Sequence, residues 1–160
     1  MERVNAICRH DLWRDSVREI ARLERDRQFC RHDLVHFLDV ARLAYIENLE
    51  RGLGIDKELI YAAALLHDIG RHLQYTQNIP HDRASAQLAE VILADCGFSQ
   101  AERAAVEDAI LQHRGRQDQR REGLAGLLYE ADKASRACLF CPAEPECNWS
   151  PEKKNMTIKK

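Results

Sequence analysis

The absence of proline before position 80 is the feature that most constrains what this chain can fold into. The four prolines stand at positions 80, 142, 145 and 151, so helices can run without interruption through the first half of the chain. Strand-like alternation is missing, and Ala, Leu, Glu and Arg, which favour helices, dominate. Apolar side chains recur instead at helical spacing, as at Leu12, Val17, Ile20 and Leu23. These features predict an all-α fold.

Glycines and capping residues divide the chain into about six helices of one bundle. Gly52 and Gly54 end the second helix, and Asp56 is a candidate N-cap of the third. A capping-box pattern begins at Ser99 and opens the fifth helix. The predicted helices cover residues 11–29, 34–51, 56–70, 82–96, 99–113 and 124–139. Loops are expected over 71–80 and 115–123.

The overall composition favours one cytoplasmic domain. A length of 160 residues suits a single core, predicted at 1–140, with a cysteine-containing tail at 138–160 packed on the same domain. With 24 basic and 26 acidic side chains the net charge is -2, which gives no general attraction for nucleic acid or a membrane surface. The N-terminus lacks the apolar run of a signal peptide, and no apolar stretch is long enough to span a bilayer. In a reducing compartment the six cysteines are not expected to form disulfides.

A His-Asp doublet ends the third predicted helix, in the stretch Leu65-Leu66-His67-Asp68-Ile69-Gly70. His67 shares a helical stripe with Ile60 and Ala63, so its ring should face the core with Asp68 beside it. Three further histidines and one carboxylate occupy core-facing positions: His36, His81, His113 and Asp132. Each alone suits a buried structural residue, but imidazoles and carboxylates together suit a divalent transition metal. The set therefore predicts a metal site.

Five short motifs follow one another between about residues 30 and 140. They are His36-Phe37-Leu38-Asp39-Val40, Ala62-Ala63-Ala64-Leu65-Leu66-His67-Asp68-Ile69-Gly70, His81-Asp82-Arg83-Ala84-Ser85-Ala86, Ile110-Leu111-Gln112-His113 and Ala131-Asp132-Lys133. In this order they resemble the HD-domain superfamily of metal-dependent phosphohydrolases. The resemblance implies a helical HD-domain bundle that hydrolyses a small phosphate ester or nucleotide through a metal-activated water.

The resemblance also implies a ligand set. Its minimal form, which binds one metal, corresponds here to His36, His67, Asp68 and Asp132. Members that resemble binuclear enzymes use two further histidines, here His81 and His113, with the doublet aspartate as a bridge. We therefore expect two divalent ions, with Fe, Mn, Co, Ni and Zn all open.

Three histidines stay outside this implied set. His32 is a rival for the first position, but its spacing to Val40 fits the motif less well, so we expect it beside the ligands or exposed. His10 and His72 are expected to be exposed. Single-metal 5′-nucleotidases of the family have an acidic residue shortly after the doublet, whereas this chain has Arg71 and His72 there, which favours two metals.

Basic residues accompany both aspartates of the predicted site. Arg71 follows Asp68 by three residues, and Lys133 adjoins Asp132, so both are candidates to bind phosphate. Arg136, one turn further on, is a third candidate. Asp68, Arg71 and Lys133 are the predicted catalytic residues, with Asp68 positioning the attacking water.

Ligand identity leaves two other functions open. A few binuclear proteins of this superfamily are iron oxygenases, and a non-catalytic metal-binding regulatory domain would have the same ligands. Hydrolysis is favoured because it is commoner in the family and because Arg71 and Lys133 suit an anionic substrate.

The C-terminal cysteines form a second pattern. Cys138, Cys141 and Cys147 are separated by two and five residues, and such a C-x2-C pair can hold one metal. Cys30 is the best candidate for a fourth ligand, ahead of Cys8. The pattern resembles the C-terminal cysteine clusters of some iron-sulfur nucleases, which implies an iron-sulfur cluster or zinc. The alternative is a group of reduced, partly buried thiols.

Overall fold

A computed structural model describes residues 1–114 and 122–158. Within these ranges the α-helices are α1 (Glu2–Arg9), α2 (Asp11–Leu23), α3 (Leu34–Glu50), α4 (Lys57–Leu66), α5 (Arg71–Gln77), α6 (His81–Asp95), α7 (Gln100–Gln112) and α8 (Gly123–Ala134). Three 3₁₀ turns follow at Cys138–Phe140, Glu144–Glu146 and Pro151–Lys153. Neither described range contains a strand, so the predicted all-α class is confirmed.

The described residues contain eight α-helices rather than about six. Helix α1 was not predicted; its buried Val4 and Ile7 join the hydrophobic core. Helix α5 lies in the segment predicted as a loop and ends at Asn78, which adopts the left-handed conformation with φ 58°. Helices α3, α6 and α7 match the predicted bounds to within one residue.

Three predicted helices end earlier than expected. The first stops at Leu23, because the Glu24 side chain turns inward and accepts the backbone N–H of His32. The third stops at Leu66, before the doublet. The sixth stops at Ala134, and the predicted loop at 115–123 falls mostly outside the described residues.

Helix α4 lies at the centre of the bundle and packs against α1, α3, α6, α7 and α8. Its residues 62–66 are all buried, so the helix is covered on every side near its C-terminal end. Asp56 caps the other end by accepting the backbone N–H groups of Glu58 and Leu59. The central helix therefore delivers the doublet that follows it into the interior of the bundle.

Two contacts fix the turn between α4 and α5. A helix leaves its last carbonyl groups without partners, and Trp13 Nε1 donates to the carbonyl of Leu65 at 2.9 Å. Gly70 then passes directly against α6, where its N–H donates to Ser85 Oγ at 2.9 Å. Because a Cβ at position 70 would lie 2.4 Å from the backbone N of Ser85, only glycine fits this approach.

The C-terminal segment is joined to the end of α8. Asn155 Nδ2 donates to the carbonyl oxygens of Lys133 at 2.7 Å and Arg136 at 2.9 Å, while its own carbonyl accepts the N–H of Leu139. The division into a core at 1–140 and a tail at 138–160 stays a prediction. Among the described residues, no helix has both the length and the apolar character needed to cross a bilayer.

We expect Gly70→Ala to destabilise the fold by about 1–3 kcal/mol, because the added methyl group must displace the α6 backbone. Gly54→Ala is the matched control: nothing lies within 4 Å of its Cβ position, so its cost is the left-handed strain of about 1 kcal/mol. Urea unfolding of both variants measures the difference. An equal or smaller loss for Gly70→Ala would contradict the close approach.

Candidate metal centre

Five helices bring the predicted ligands to one place. His36 lies in the first turn of α3, His67 and Asp68 directly follow α4, and His81 begins α6. His113 directly follows α7, and Asp132 lies in the last turn of α8. All six side chains are buried. The structure thus brings together every histidine and aspartate of the predicted set.

The six residues form two groups that share Asp68. In each group the candidate ligand atoms lie within 4.8 Å of one another; the groups are His36, His67, Asp68, Asp132 and Asp68, His81, His113. Oxygen atoms or ring nitrogens that bind one ion at about 2.1 Å lie about 3–4 Å apart. The residues present therefore fit one or two divalent ions.

Asp68 faces both groups with different oxygens. Its Oδ2 lies 3.4 Å from His67 Nε2 and 3.9 Å from His36 Nε2. Its Oδ1 lies 3.3 Å from His81 Nε2 and 3.6 Å from His113 Nε2. This is the arrangement that a bridging carboxylate requires.

The four rings are held with Nδ1 outward and Nε2 inward. His67 Nδ1 donates to the carbonyl of Ala64 at 2.7 Å, and His113 Nδ1 donates to that of Ile110. His81 Nδ1 donates to Gln74 Oε1 at 2.7 Å. His36 Nδ1 lies 3.1 Å from Ser135 Oγ, whose hydroxyl already donates to the carbonyl of Asp132. Because Nδ1 carries the proton in the neutral ring, Nε2 is in each case the nitrogen that faces the interior, as in a metal-binding histidine.

Several of these inward-facing polar atoms are buried without a hydrogen-bond partner among the described residues. His67 Nε2 and Asp132 Oδ1 are buried without a hydrogen bond from any described residue. His81 Nε2 and His113 Nε2 lie 3.2 Å apart, which places two lone pairs opposite each other. A buried polar atom without a partner costs about 1–3 kcal/mol, so the cluster favours a cation between these atoms.

The charges of the cluster support the same conclusion. Burial lowers the pKa of His36 to about 4 and that of His81 to about 3, which keeps both rings neutral at pH 7. Burial also acts to lower the pKa of His67, but Asp68 and Asp132 outweigh it and raise that pKa to about 9. The two carboxylates thus favour positive charge at His67 Nε2, where a metal ion would supply it.

The three predicted phosphate-binding side chains lie at the edge of the cluster. Arg71 Nε donates to Asp68 Oδ1 at 2.9 Å, and Lys133 Nζ donates to Asp132 Oδ2 at 2.6 Å. Arg136 Nη2 lies 3.2 Å from His36 Nε2 and 3.5 Å from Asp132 Oδ1. All three also line a cleft of about 590 Å³ that reaches His36 and Asp132.

A buried Glu24–His32 pair adjoins the cluster, and no sequence pattern pointed to Glu24. His32 Nδ1 donates to Glu24 Oε1 at 2.6 Å, and its Nε2 lies 3.6 Å from Asp68 Oδ2. Tyr75 also donates to Glu24 Oε1, at 2.5 Å. His32 is therefore beside the candidate ligands and buried, whereas His10 and His72, predicted to be exposed, are half-buried outside both groups.

The four candidate cysteine ligands line the same cleft, but the two ligand groups contain only His and Asp. Cys138 is buried, and Cys30, Cys141 and Cys147 are half-buried. In the described part of the chain, no group of three ligand atoms within 4.8 Å of one another includes a cysteine.

We expect a divalent transition metal such as Mn²⁺ or Zn²⁺ to raise the melting temperature of the metal-free chain. A concentration of one hundred times Kd stabilises by about 2.7 kcal/mol, which corresponds to about 5–10 °C for a domain of this size. His67→Gln and Asp132→Asn should each remove most of this increase, whereas His72→Ala should keep it. Each variant is compared with itself with and without metal by differential scanning calorimetry. A melting temperature of the unsubstituted chain that no metal changes would contradict the site.

We expect the Glu24–His32 pair to make the stability of the fold depend on pH. Burial acts to raise the pKa of Glu24, but bonds from His32 and Tyr75 lower it from 4.5 to about 2. Glu24 therefore stabilises the fold above pH 4.5, and this contribution is lost as the pH falls from 4.5 towards 2. Glu24→Gln should lower the free energy of unfolding by about 1–3 kcal/mol at pH 7, and by less at pH 3.

Urea unfolding at both pH values measures this effect. The control is Glu130→Gln, because Glu130 is exposed and paired with Arg51 at the surface. A loss for Glu24→Gln that stays the same from pH 7 to pH 3 would show that packing, not charge, is responsible.

Comparison with known proteins agrees with the fold and the cluster. The chain is 43% identical over 158 residues to an uncharacterized protein of Clostridium beijerinckii, and the match covers 99% of each chain. It is 29% identical over 128 residues to ribonuclease Y of Clostridium novyi and 30% identical to ribonuclease Y of Clostridium botulinum. These two matches cover 80% of this chain but 23% of each ribonuclease Y, so the chain spans about a quarter of their length. No solved structure matches.

The family described as HD domain matches residues 33–141, a range that includes all six candidate ligands. This range is more than half of the chain, and the doublet His67-Asp68 lies near its middle. The chain therefore belongs to the HD domain family.

Proposed function

We propose that this protein is a metal-dependent phosphohydrolase that acts on a small phosphate ester or nucleotide. The observation that carries the proposal is one buried carboxylate, Asp68, shared by two histidine-rich ligand groups and flanked by basic side chains. Membership of the HD domain family supports hydrolysis of phosphate compounds.

The proposed ligands follow from the two groups. One ion would be held by His36, His67, Asp68 and Asp132, and the second by Asp68, His81 and His113. A divalent ion at such a site lowers the pKa of a coordinated water and polarises a phosphoryl oxygen. Imidazole and carboxylate ligands accept Fe, Mn, Co, Ni or Zn.

The proposed role of the basic residues is to bind and orient the phosphate. Among the described residues, Arg71 makes one hydrogen bond, from Nε to Asp68, and its terminal amino groups make none. Lys133 is partly exposed, and its ammonium group lies beside Asp132. Arg136 adds a third positive charge in a largely buried position. Three cations at the edge of the cluster suit the oxygens of a phosphate group.

The net charge favours a small substrate. A net charge of -2 offers no general attraction for a long nucleic acid. Ribonucleases cleave phosphodiester bonds, so the likeness to part of ribonuclease Y favours a nucleotide or a short phosphodiester. The cytoplasmic location expected from the sequence stays a prediction.

Phosphate-ester hydrolysis by the purified chain tests the proposal. p-Nitrophenyl phosphate, bis(p-nitrophenyl) phosphate and nucleoside phosphates are supplied with each candidate metal, and product release is measured. We expect metal-dependent turnover, a loss of about 10²–10³-fold in kcat for Asp68→Asn, and a smaller loss in kcat/KM for Lys133→Met. Lys57→Met is the control, because Lys57 lies over Tyr45 and Tyr61, outside the cleft and both ligand groups.

Three other results would overturn the proposal. Turnover that survives Asp68→Asn would mean that the cluster is not the active site. Iron-dependent oxygen consumption without release of phosphate or alcohol would assign an oxygenase of the same fold. Metal retention without turnover of any substrate would leave a metal-binding regulatory domain.

A further inference from the structure

Four of the six cysteines meet in one cleft, although they come from distant parts of the chain. Cys30 lies between α2 and α3, whereas Cys138, Cys141 and Cys147 follow α8. The remaining two, Cys8 and Cys96, do not line this cleft. Nothing in the proposed hydrolysis uses these four thiols, so their convergence needs its own explanation.

Consecutive backbone turns after α8 carry the three C-terminal thiols. Cys141 N–H donates to the carbonyl of Cys138 at 3.1 Å, Glu144 N–H to that of Cys141 at 3.0 Å, and Cys147 N–H to that of Glu144 at 3.2 Å. Cys141 itself is extended, with φ -78° and ψ 118°, so the chain bends between the two 3₁₀ turns. The side chains of Cys138, Cys141 and Cys147 all line the cleft.

Hydrogen bonds hold the segment that carries Cys30 against the segment after α8. Arg27 Nε donates to the carbonyl of Cys30 at 2.8 Å, and Arg136 Nη1 donates to that of Arg31 at 3.1 Å. Gln28 also donates to Glu146, beside Cys147. These bonds tie the Cys30 segment to itself and to the segment after α8.

The Cys30 thiol is close enough to the other thiols for their charges to interact. Burial raises the pKa of Cys30, the charge of Arg136 opposes this effect, and the neighbouring Cys141 and Cys138 add to it. Three of the thiols are half-buried, so the cleft gives access to them.

In the described part of the chain, the thiols are not preplaced for one zinc ion. A tetrahedral zinc with bonds of about 2.3 Å holds its sulfurs about 3.8 Å apart. Among the described residues, no three cysteine sulfurs lie within 4.8 Å of one another. An iron-sulfur cluster separates its four thiolates by its own iron and sulfide atoms, so it accommodates a wider set.

The charges around the cleft suit such a cluster. Four thiolates give an iron-sulfur cluster a net negative charge, and six Arg and Lys side chains line the cleft against four Asp and Glu side chains. The Lys154 ammonium is bound to Glu144 at 2.7 Å and interacts electrostatically with Cys147 and Cys138.

We propose that Cys30, Cys138, Cys141 and Cys147 bind an iron-sulfur cluster, separate from the His/Asp centre. A preassembled cluster held by four exogenous thiolates binds by ligand exchange. Each cysteine thiol forms one Fe–S bond and passes its proton to the exogenous thiolate that leaves that iron, with no electron transferred. The cluster joins the segment before α3, which carries His36, to the segment after α8, which carries Asp132. It thereby stabilises the positions of two candidate ligands of the His/Asp centre.

Iron and acid-labile sulfide are measured on the full chain, purified without oxygen and then incubated with a preassembled iron-sulfur cluster held by an exogenous thiol. Acid-labile sulfide reports the cluster alone, because the His/Asp centre contains none. We expect bound sulfide and a broad visible absorption in the unsubstituted chain, and their loss in Cys30→Ser and Cys147→Ser. Cys8→Ser and Cys96→Ser are the matched controls and should retain both.

His67→Gln separates this proposal from the proposed function. It should lose metal at the His/Asp centre and retain the sulfide, so failure of one site is visible without failure of the other. If a cysteine variant does not fold, thiol labelling of the native unsubstituted chain replaces it. Cys8 and Cys96 should then react when the cluster is present, and Cys30, Cys141 and Cys147 should react as well after the cluster is removed.

Two results would overturn the proposal. The first is a chain that holds no acid-labile sulfide after this treatment and leaves Cys30, Cys141 and Cys147 reactive. The second is one zinc per chain that disappears in Cys30→Ser and Cys147→Ser without any sulfide, which would assign a mononuclear zinc site instead.

Discussion

The carboxylate of Asp68 is buried among charged and polar groups, and the rest of the structure depends on how its charge is compensated. An ionised carboxylate in a protein interior is expensive unless it is paired. Five imidazole nitrogens and the Arg71 guanidinium surround it, at distances from 2.9 to 3.9 Å. The charges of His67 and Arg71 outweigh burial and hold the pKa of Asp68 well below its usual range. A cation between these groups is the simplest way to satisfy them together.

The helical bundle provides this arrangement by rigid packing. Helix α4 is buried along its C-terminal half, and Trp13 satisfies the carbonyl of Leu65 next to the doublet. Gly70 then lets α6 approach closely enough for His81, at its first residue, to reach Asp68. Since Nδ1 of each of the four candidate-ligand rings is fixed by a bond to an oxygen outside the cluster, the direction of every Nε2 is set before any metal binds.

Much of the fold was predictable because helix signals are local. Ser99 and Glu102 form the capping box that their spacing predicts, and α3, α6 and α7 begin and end where caps and glycines stand. Predictions failed where a distant side chain competes for the backbone. The Glu24 side chain, just after α2, accepts a hydrogen bond from the backbone of His32. Asn155 donates to a carbonyl group at the end of α8. The local sequence of a helix does not reveal these distant contacts, so both helices were predicted too long.

Residue type and spacing along the chain were enough to predict the all-α class, the order of the HD motifs and the six histidines and aspartates that meet. Tertiary structure alone decided that Asp68 faces both ligand groups with different oxygens and that Glu24 orients His32 beside it. It also decided that Cys30 meets the three C-terminal cysteines in the cleft that reaches His36 and Asp132. These relations join segments far apart in the chain, and such contacts follow from packing in three dimensions rather than from any local pattern.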